Sequence, residues 1–297
     1  MKPAPFEYLR ADTLDDACKF LATHGAEAKL IAGGQSLVPM LAMRLLRPAW
    51  LIDIGEIAAL ARVVIDPDAI TIGACARQHV LAAHDGLAAA LPVLGQALAW
   101  VGHEQTRNRG TLGGSLVHAD PSAELPLVAV MLDARLALQS TARGTRVLSA
   151  REFFTGPMST LMEPDECLVE VRFERWSAPC VGSAFDEVAI RHGDFALASA
   201  CAQVAIDAAG RCERVALALG GVAGAPLDCS VQAASLVGSV PDDGAVDALA
   251  QAVAGGLEPP GDLHASAEYR RSLAQTLCAR VLRAACARAR GALTEAR

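Results

Sequence analysis

A short apolar run that ends in two adjacent glycines limits how the first part of this chain can fold. Residues 29–32 (Lys-Leu-Ile-Ala) have the composition of a buried β-strand, Gly33 and Gly34 follow at once, and a helix-compatible segment begins at Ser36. Because glycine has no Cβ, successive backbone N–H groups can turn toward one point, and a phosphate can approach them closely. The pattern predicts a strand–turn–helix unit that either binds an anion or simply connects two elements.

A second glycine pair lies within residues 111–115 (Thr-Leu-Gly-Gly-Ser), with Arg107 and Arg109 nearby as a source of positive charge. We interpret residues 102–120 as one long irregular segment; such segments are often functional, although a flexible loop would have a similar composition. Two glycine loops can converge on the two phosphates of a dinucleotide. Neither G-x-G-x-x-G nor G-x-x-x-x-G-K-[ST] occurs in the sequence, so Rossmann and P-loop sites are not indicated.

Charge and hydropathy exclude several classes of protein. The 297-residue chain has a net charge of −7, and its few lysines and scattered arginines form no cluster suited to neutralising nucleic-acid phosphates. Although 53% of the residues are hydrophobic, the apolar stretches are far too short to span a bilayer, and the first residues lack the apolar core of a signal peptide. We expect a cytoplasmic protein with no nucleic-acid partner and no membrane span.

The cysteines and histidines do not form a metal-binding pattern. None of the nine cysteines belongs to a C-x-x-C pair, and the seven histidines form no H-x-H or H-E-x-x-H unit. We therefore expect no metal site in this chain, and we interpret the cysteines as small buried hydrophobes. No Ser–His–Asp or paired-carboxylate array is evident, so His103, Glu104 and His192 are interpreted as ordinary polar residues and no catalytic acid or base is predicted.

The periodicity of apolar residues predicts an α+β chain. In the first half it predicts helices at 13–23, at 88–101 and from Asp120 to about 131, and strands at 29–32, 50–54, 62–65, 69–72, 135–139, 145–148 and 166–173. Asp120 would be the N-cap of the third helix and Pro121 its first residue. After a boundary within 176–182, we predict an antiparallel meander (183–190, 195–206, 211–219) followed by helices at 230–236, 243–254 and 267–289.

Three motifs in order give the sequence a specific resemblance. They are residues 32–37 (Ala-Gly-Gly-Gln-Ser-Leu), residues 111–115 and residues 191–196 (Arg-His-Gly-Asp-Phe-Ala). Together they resemble the FAD-binding medium subunit of the xanthine dehydrogenase and carbon monoxide dehydrogenase family of molybdenum hydroxylases. Residues 6–8, 47–54 and 268–270 fit the same family, so the resemblance covers essentially the whole chain.

The resemblance implies a fold, a cofactor and partners. The fold would be a PCMH-type FAD-binding domain of two α/β subdomains (about 1–55 and 56–176), followed by a C-terminal domain of antiparallel sheet and helices (177–297). The implied partners are a small subunit with two [2Fe–2S] clusters and a large subunit with the molybdenum–pterin cofactor, assembled as a dimer of heterotrimers. Electrons would pass from the clusters through FAD to an external acceptor. Gln35 stands where some relatives have histidine, which favours non-covalent FAD.

The resemblance also implies a set of FAD-binding residues. They are Ala32, Gly33, Gly34, Gln35, Ser36, Leu37, Thr111, Gly114, Ser115, Asp120, Leu161, Leu168 and Phe195. The first loop, with Thr111, Gly114 and Ser115, would wrap the pyrophosphate, and Asp120 would approach the pyrophosphate or ribityl group unless it serves only as a helix cap. Phe195 would lie against the isoalloxazine or belong to a strand core. Leu161 and Leu168 would line the flavin pocket, although leucine is more often a core residue.

Two other functions remain open at this point. One is a stand-alone PCMH-type flavoenzyme that acts on its own small substrate, which would need a substrate pocket above the flavin. The other is a scaffold protein whose glycine loops are merely turns. Bound flavin separates the scaffold from the other two, and association with iron–sulfur and molybdenum subunits separates the relay from the stand-alone enzyme.

Overall fold

The computed structural model describes residues 2–178 and 180–295. They form a small N-terminal unit around a three-stranded sheet, a middle unit around a five-stranded sheet and a C-terminal unit around a four-stranded sheet. The predicted mixed class of helices and sheets is confirmed.

The N-terminal unit is built on parallel strands. Its elements are β1 (Glu7–Arg10), α1 (Leu14–His24), β2 (Ala28–Ile31), α2 (Leu37–Ala42) and β3 (Trp50–Asp53), with the strand order β1-β3-β2. Thr13 caps α1, since its side chain accepts a hydrogen bond from the backbone N–H of Asp16. Because β2 and β3 are parallel neighbours, the glycine loop after β2 and Gly55 after β3 lie at the same edge of the sheet.

The middle unit surrounds an antiparallel sheet with the strand order β4-β5-β10-β6-β7. Its elements are β4 (Val63–Ile65), β5 (Ala69–Gly73), α3 (Gln78–Ala82), α4 (Asp85–Ala90), α5 (Pro92–Leu98), α6 (Glu104–Arg109), α7 (Leu112–His118), α8 (Glu124–Met131), β6 (Arg135–Ser140), β7 (Gly144–Ser149), α9 (Ala150–Phe153), β8 (Phe154–Gly156), β9 (Ser159–Thr160) and β10 (Cys167–Glu174). Helices α5, α7 and α8 contribute to the same buried core as the apolar side chains of β5, β6 and β10.

The C-terminal unit confirms the predicted meander followed by helices. Its elements are β11 (Cys180–Ala189), β12 (Ala196–Ile206), β13 (Cys212–Gly220), β14 (Leu227–Asp228), α10 (Ser230–Ala233), α11 (Asp243–Gly255) and α12 (Ala267–Glu295). One face of the sheet, with Phe185 and Cys201, joins the core of the middle unit. The other face packs against α11 and α12. A Cβ at Gly182 would overlap the backbone of Ala285, so α12 lies directly on β11. The predicted boundary near residue 176 falls between β10 and β11 and stays a prediction.

The single helix predicted at 88–101 is wrong. The segment contains the end of α4 and all of α5, separated at Leu91, whose backbone (φ −142°) leaves the helical region. The reason is Pro92, because proline disfavours the helical conformation in the residue that precedes it and is itself favoured at the first turn of a helix.

The irregular segment predicted at 102–120 is also wrong, since it contains α6 and α7. Both helices are too short to show a clear apolar period. The prediction that Asp120 caps the next helix fails as well: α8 begins at Glu124 with Ala123 as its N-cap. Asp120 instead closes a turn, since its carboxylate accepts a hydrogen bond from the backbone N–H of Ser122 at 2.8 Å.

Two further observations bear on the classes considered above. No helix within residues 2–178 and 180–295 is long and apolar enough to cross a membrane. The same residues contain no group of three or more His, Cys, Asp or Glu side chains that could hold a metal ion. All nine cysteines are buried, as their interpretation as small hydrophobes predicts.

A buried carboxylate, Glu166, joins the loop before β10 to β7. Its side chain is 1% exposed and forms a two-point contact with Arg146, with Nε to Oε1 at 2.6 Å and Nη2 to Oε2 at 2.8 Å. Burial would raise the pKa of Glu166, but the hydrogen bonds from Arg146 and from the backbone of Glu163 lower it below its ordinary value. This contribution to stability is present above the ordinary carboxyl pKa and is lost as the pH falls through the folded-state pKa.

We predict that Arg146→Met lowers the free energy of unfolding by about 2 kcal/mol, because it leaves the Glu166 carboxylate buried without its partner while Arg146 itself is partly exposed. Arg143→Met is the matched control: its side chain is 47% exposed, it lies 3.5 Å from Glu166, and its main partner is the Asp165 carboxylate, so the loss should stay under about 1 kcal/mol. Urea denaturation measures both. Equal losses, or a loss at Arg146 that does not shrink in acid, would contradict the assignment.

Candidate cofactor site

The first glycine loop presents a run of unpaired backbone donors. The backbone N–H groups of Gly33, Gly34, Gln35 and Ser36 form no hydrogen bond with any described residue. Gly34 has φ +72°, a left-handed conformation that glycine adopts without strain. The Gln35 side chain donates to the Gly33 carbonyl at 3.1 Å and fixes the loop from within. Successive N–H groups around a left-handed glycine form a concave site for an anion.

The second glycine loop has a different arrangement, because its backbone donors are already in use. Thr111 caps α7 by accepting a hydrogen bond from the N–H of Gly114 at 3.0 Å. The N–H groups of Leu112 and Gly113 donate to the carbonyls of Ala76 and Ala74, which lie in the turn after β5. This loop therefore offers a ligand hydroxyl groups, including that of Ser115, which has no hydrogen-bond partner among the described residues.

The two loops touch through their backbones. A Cβ at Gly33 would overlap the carbonyl of Arg109, so only glycine permits this approach. The guanidinium of Arg77 donates to the same Arg109 carbonyl and, at 3.2 Å, to the carbonyl of Gly55. Its side chain is 17% exposed. Arg77 therefore links the sheet edge of the N-terminal unit to the second loop and holds both loops in one arrangement.

A cavity of about 1010 Å³ opens beside the two loops. All three units line it. Of the thirteen predicted site residues, those that line it are Ala32, Gly33, Gly34, Gln35, Ser36, Leu37, Thr111, Gly114, Ser115, Asp120, Leu168 and Phe195. A second cavity, beside β4 and β5, measures about 210 Å³ and is too small for a dinucleotide.

The remaining predicted residue, Leu161, does not line the cavity. Its side chain is 43% exposed, and its backbone pairs with Phe153 and Arg146. Phe195 does line the cavity and is 68% exposed in the loop before β12, so the alternative that it belongs to a strand core is wrong. Its ring is free to cover a planar ligand.

Several cavity residues were not predicted from the sequence. Arg77 does not line the cavity but binds the carbonyls of Arg109 and Gly55 next to it. Gln78 lines the cavity and is buried, with its Oε1 unpaired. Gly113 packs against the Ala74 carbonyl, which a Cβ would approach to 2.7 Å. The one local signal for this wall was the Thr-x-x-Gly spacing at 111–114, which is compatible with a capped helix start.

Burial shifts the pKa values of one carboxyl group and one thiol at the cavity. Burial, followed by the charge of Asp120, raises the pKa of Glu124 to about 7. Burial likewise raises the pKa of the Cys75 thiol to about 12, so this thiol stays protonated and is a poor nucleophile at neutral pH. The first loop therefore provides donors for an anion, and the protonated Cys75 thiol adds no charge to the lining.

These features fit a dinucleotide. The cavity lies at the upper end of the usual size range for small-molecule sites. It combines an anion-binding run of N–H groups, two hydroxyl side chains and an exposed aromatic ring on three different chain segments.

The comparison with known proteins identifies the dinucleotide. The profile described as the FAD binding domain in molybdopterin dehydrogenase matches residues 4–176. The chain belongs to this family. The CO dehydrogenase flavoprotein C-terminal domain matches residues 183–285. The resemblance inferred from the three motifs is confirmed, and FAD is the cofactor of this family.

Relatives match over nearly the whole chain. The 6-hydroxypseudooxynicotine dehydrogenase complex subunit alpha of Paenarthrobacter nicotinovorans is 39% identical over 290 residues, 98% of this chain and 97% of the relative. The carbon monoxide dehydrogenase medium chain of Hydrogenophaga pseudoflava is 33% identical, over 97% of this chain and 99% of the relative. Quinoline 2-oxidoreductase from Pseudomonas putida 86 contains a chain with TM-score 0.91 and 36% identity, covering 99% of this chain and 100% of that chain.

We predict that Gly33→Ala weakens FAD binding at least tenfold, about 1.4 kcal/mol or more, because the added Cβ pushes the first loop away from Arg109. Gly95→Ala is the control, since a Cβ there meets no atom within 4 Å in helix α5. Titration of flavin-free protein with FAD measures both. Unchanged affinity in a folded Gly33→Ala protein would mean that the phosphate site lies elsewhere.

We further predict that Arg77→Met weakens FAD binding about tenfold, a loss of about 1.4 kcal/mol, and that Arg77→Lys restores only part of it, since one ammonium cannot match the planar guanidinium between two carbonyls. Arg62→Met, which removes an exposed arginine bound to a single backbone carbonyl, should have no effect. Affinity and circular dichroism are compared for the three variants. Equal affinity in Arg77→Met and wild type would show that Arg77 does not hold the two loops in their binding arrangement.

Proposed function

We propose that this chain is the FAD-carrying, electron-relay subunit of a molybdenum hydroxylase complex. Electrons would arrive from the [2Fe–2S] clusters of a small partner subunit, which takes them from the molybdenum–pterin cofactor of a large subunit, and would leave to an external acceptor. The observation that carries the proposal is the run of unpaired N–H groups at the first loop, inside a cavity of dinucleotide size. The relatives described as medium chain or complex subunit support it.

Bound FAD can take electrons singly and release them as a pair, which is the chemistry a relay requires. The chain supplies placement. The N–H groups of Gly33 to Ser36 would bind the pyrophosphate, with the hydroxyls of Thr111 and Ser115 as further donors. Leu168 would contribute an apolar wall, and Phe195 would cover the isoalloxazine. Asp120, which does not cap α8, would approach the ribityl or pyrophosphate group.

The two histidines considered in the sequence, His103 and His192, do not line the cavity. His192 stacks on Trp100 with ring centroids 5.4 Å apart. His103 packs against Gly193, whose Cβ would come within 2.7 Å of its ring. Both imidazoles thus have structural contacts.

The FAD is proposed to be held without a covalent bond. Gln35 occupies the loop position where histidine occurs in some relatives, and its amide is engaged with the Gly33 carbonyl. The protonated Cys75 thiol is a weak nucleophile toward the flavin. Acid precipitation should therefore release the flavin into the supernatant. Yellow, flavin-containing precipitate would contradict this.

We propose that the complex is a cytoplasmic dimer of heterotrimers, as the family resemblance implies. We also propose that the FAD-binding domain ends near residue 176, which lies between β10 and β11.

The relay predicts a division of activity that can be measured. The purified chain should show the visible absorption bands of oxidised flavin and should not oxidise the organic substrate. When it is combined with its iron–sulfur and molybdenum subunits, the flavin bands should bleach after substrate is added. The Gly95→Ala variant should behave as wild type in both experiments, and Gly33→Ala should retain less flavin, with correspondingly weaker bands.

Two outcomes would contradict the proposal. A colourless chain that takes up no FAD would support the scaffold interpretation. Turnover of an organic substrate by the isolated chain would support a stand-alone flavoenzyme.

A further inference from the structure

An unpaired buried acid lies behind the FAD cavity, at the contact between the C-terminal sheet and the middle unit. The side chain of Glu187 in β11 is 3% exposed, and neither carboxyl oxygen has a hydrogen-bond partner in the described chain. Its register partner in β12 is Ser199, which is fully buried and whose hydroxyl oxygen is also unpaired. Unsatisfied buried polar groups are rare in folded proteins and require an explanation.

This acid lies on the sheet face that covers α8. Residues paired across antiparallel strands share one face, and the next pair on that face is Phe185 with Cys201, whose thiol donates to the Leu127 carbonyl of α8 at 3.7 Å. A Cβ at Gly220, opposite Ser199 in β13, would lie 3.3 Å from the Leu127 side chain. Glu187 therefore lies on the buried face of the C-terminal sheet, in the same row as Ser199 and Gly220, and this row ends against α8.

The first residue of that helix is a second buried acid, Glu124, which lines the cavity and is 8% exposed. Neither Glu124 nor Glu187 forms an ion pair with any cation of the described residues. The other acidic groups nearby are Asp120, before α8, and Asp186, which is bound to Arg280 of α12 at 2.7 Å. The neighbouring charges that raise the pKa values of Glu124 and Glu187 are thus acidic, and the cation Arg280 is paired with Asp186 rather than with either glutamate.

Two buried carboxyl groups without a cation cannot both ionise at low cost. Burial, then the charges of Glu124 and Asp186, raises the pKa of Glu187 to about 8, and the pKa of Glu124 is raised to about 7. The two carboxyl groups are consequently partly protonated near neutral pH. Any negative charge that enters the cavity should draw a further proton onto it.

We propose that Glu187 and Glu124 form a proton-uptake pair for the FAD cavity, binding a proton from solvent as negative charge arrives there. The proposal rests on the relay function. When FAD binds, one carboxylate oxygen of the pair takes a proton from solvent and forms an O–H bond, which balances the charge of the pyrophosphate. When electrons arrive from the [2Fe–2S] clusters, a second uptake of the same kind balances their charge. Glu187 acts through Glu124 and is a positioning residue for this charge balance.

The test is the pH dependence of the midpoint potential of FAD bound to the full chain, with dithionite as reductant and a set of indicator dyes. Between about pH 6 and 9 the wild-type potential should fall more steeply than that of Glu187→Gln. One extra proton per two electrons is a tenfold change in the equilibrium constant per pH unit, about 30 mV. The difference in slope should approach but not exceed that figure.

Glu213→Gln is the matched control, because Glu213 is an exposed carboxylate in β13 of the same sheet and is not among the residues that line the cavity. Its slope should equal that of wild type. A second variant, Glu124→Gln, should flatten the slope as Glu187→Gln does. If Glu187→Gln does not fold, proton uptake by wild-type protein on FAD binding, followed with a pH indicator in weak buffer, must exceed that of Glu124→Gln.

Glu187→Gln should also change stability in a defined direction. The native state binds more protons than the unfolded state between the ordinary carboxyl pKa and about pH 8, so wild-type stability from this group falls as pH rises through that window. Glu187→Gln should remove part of this fall. If Glu187→Gln is more stable but the pH dependence of its FAD midpoint potential is unchanged, Glu187 is only a neutral acid in the core and the proposal is wrong. Failure of the chain to bind FAD would instead overturn the relay function.

Discussion

The backbone contact between Gly33 and the Arg109 carbonyl is the constraint on which the site depends. It brings together a loop at the edge of a parallel sheet and a loop at the start of a helix in a different unit. Arg77 reinforces the contact from behind by donating to carbonyls on both sides. The free N–H groups of the first loop can face a phosphate only while this arrangement holds. The two glycine loops thus form one rigid side of the cavity.

The two glycine motifs look alike in sequence but differ in role. The first leaves its N–H groups free, and its glycine permits a close backbone approach. In the second, the N–H groups bind the N-cap of α7 and the turn after β5, and Gly113 permits packing against Ala74. Its contribution to a ligand is therefore through hydroxyl groups. A cavity built in this way needs few charged side chains to bind an anion, which agrees with the small number of lysines in the chain.

Local sequence patterns predicted the helices and strands better than they predicted the residues that hold the site in place. The strand before Gly33, the cap at Thr13 and the meander of the C-terminal unit each depend on neighbouring residues and could be inferred from the sequence. Helices α6 and α7 could not, because each is too short to repeat an apolar period. Arg77 and Glu187 were missed for another reason: their roles arise from contacts with residues far away in sequence, and nothing beside them in the chain records those contacts. Leu161 was placed by resemblance alone and lies outside the cavity.

The walls of the cavity come from all three units, and this affects more than the cofactor. A ligand that binds only the assembled arrangement adds its binding free energy to the folding of every part that touches it, by mass action. The chain without flavin should therefore melt earlier and open more often at the contacts between units, where proteases and chaperones act on newly made proteins. Flavin supply in the cell would then set how much of this chain survives to meet its partners.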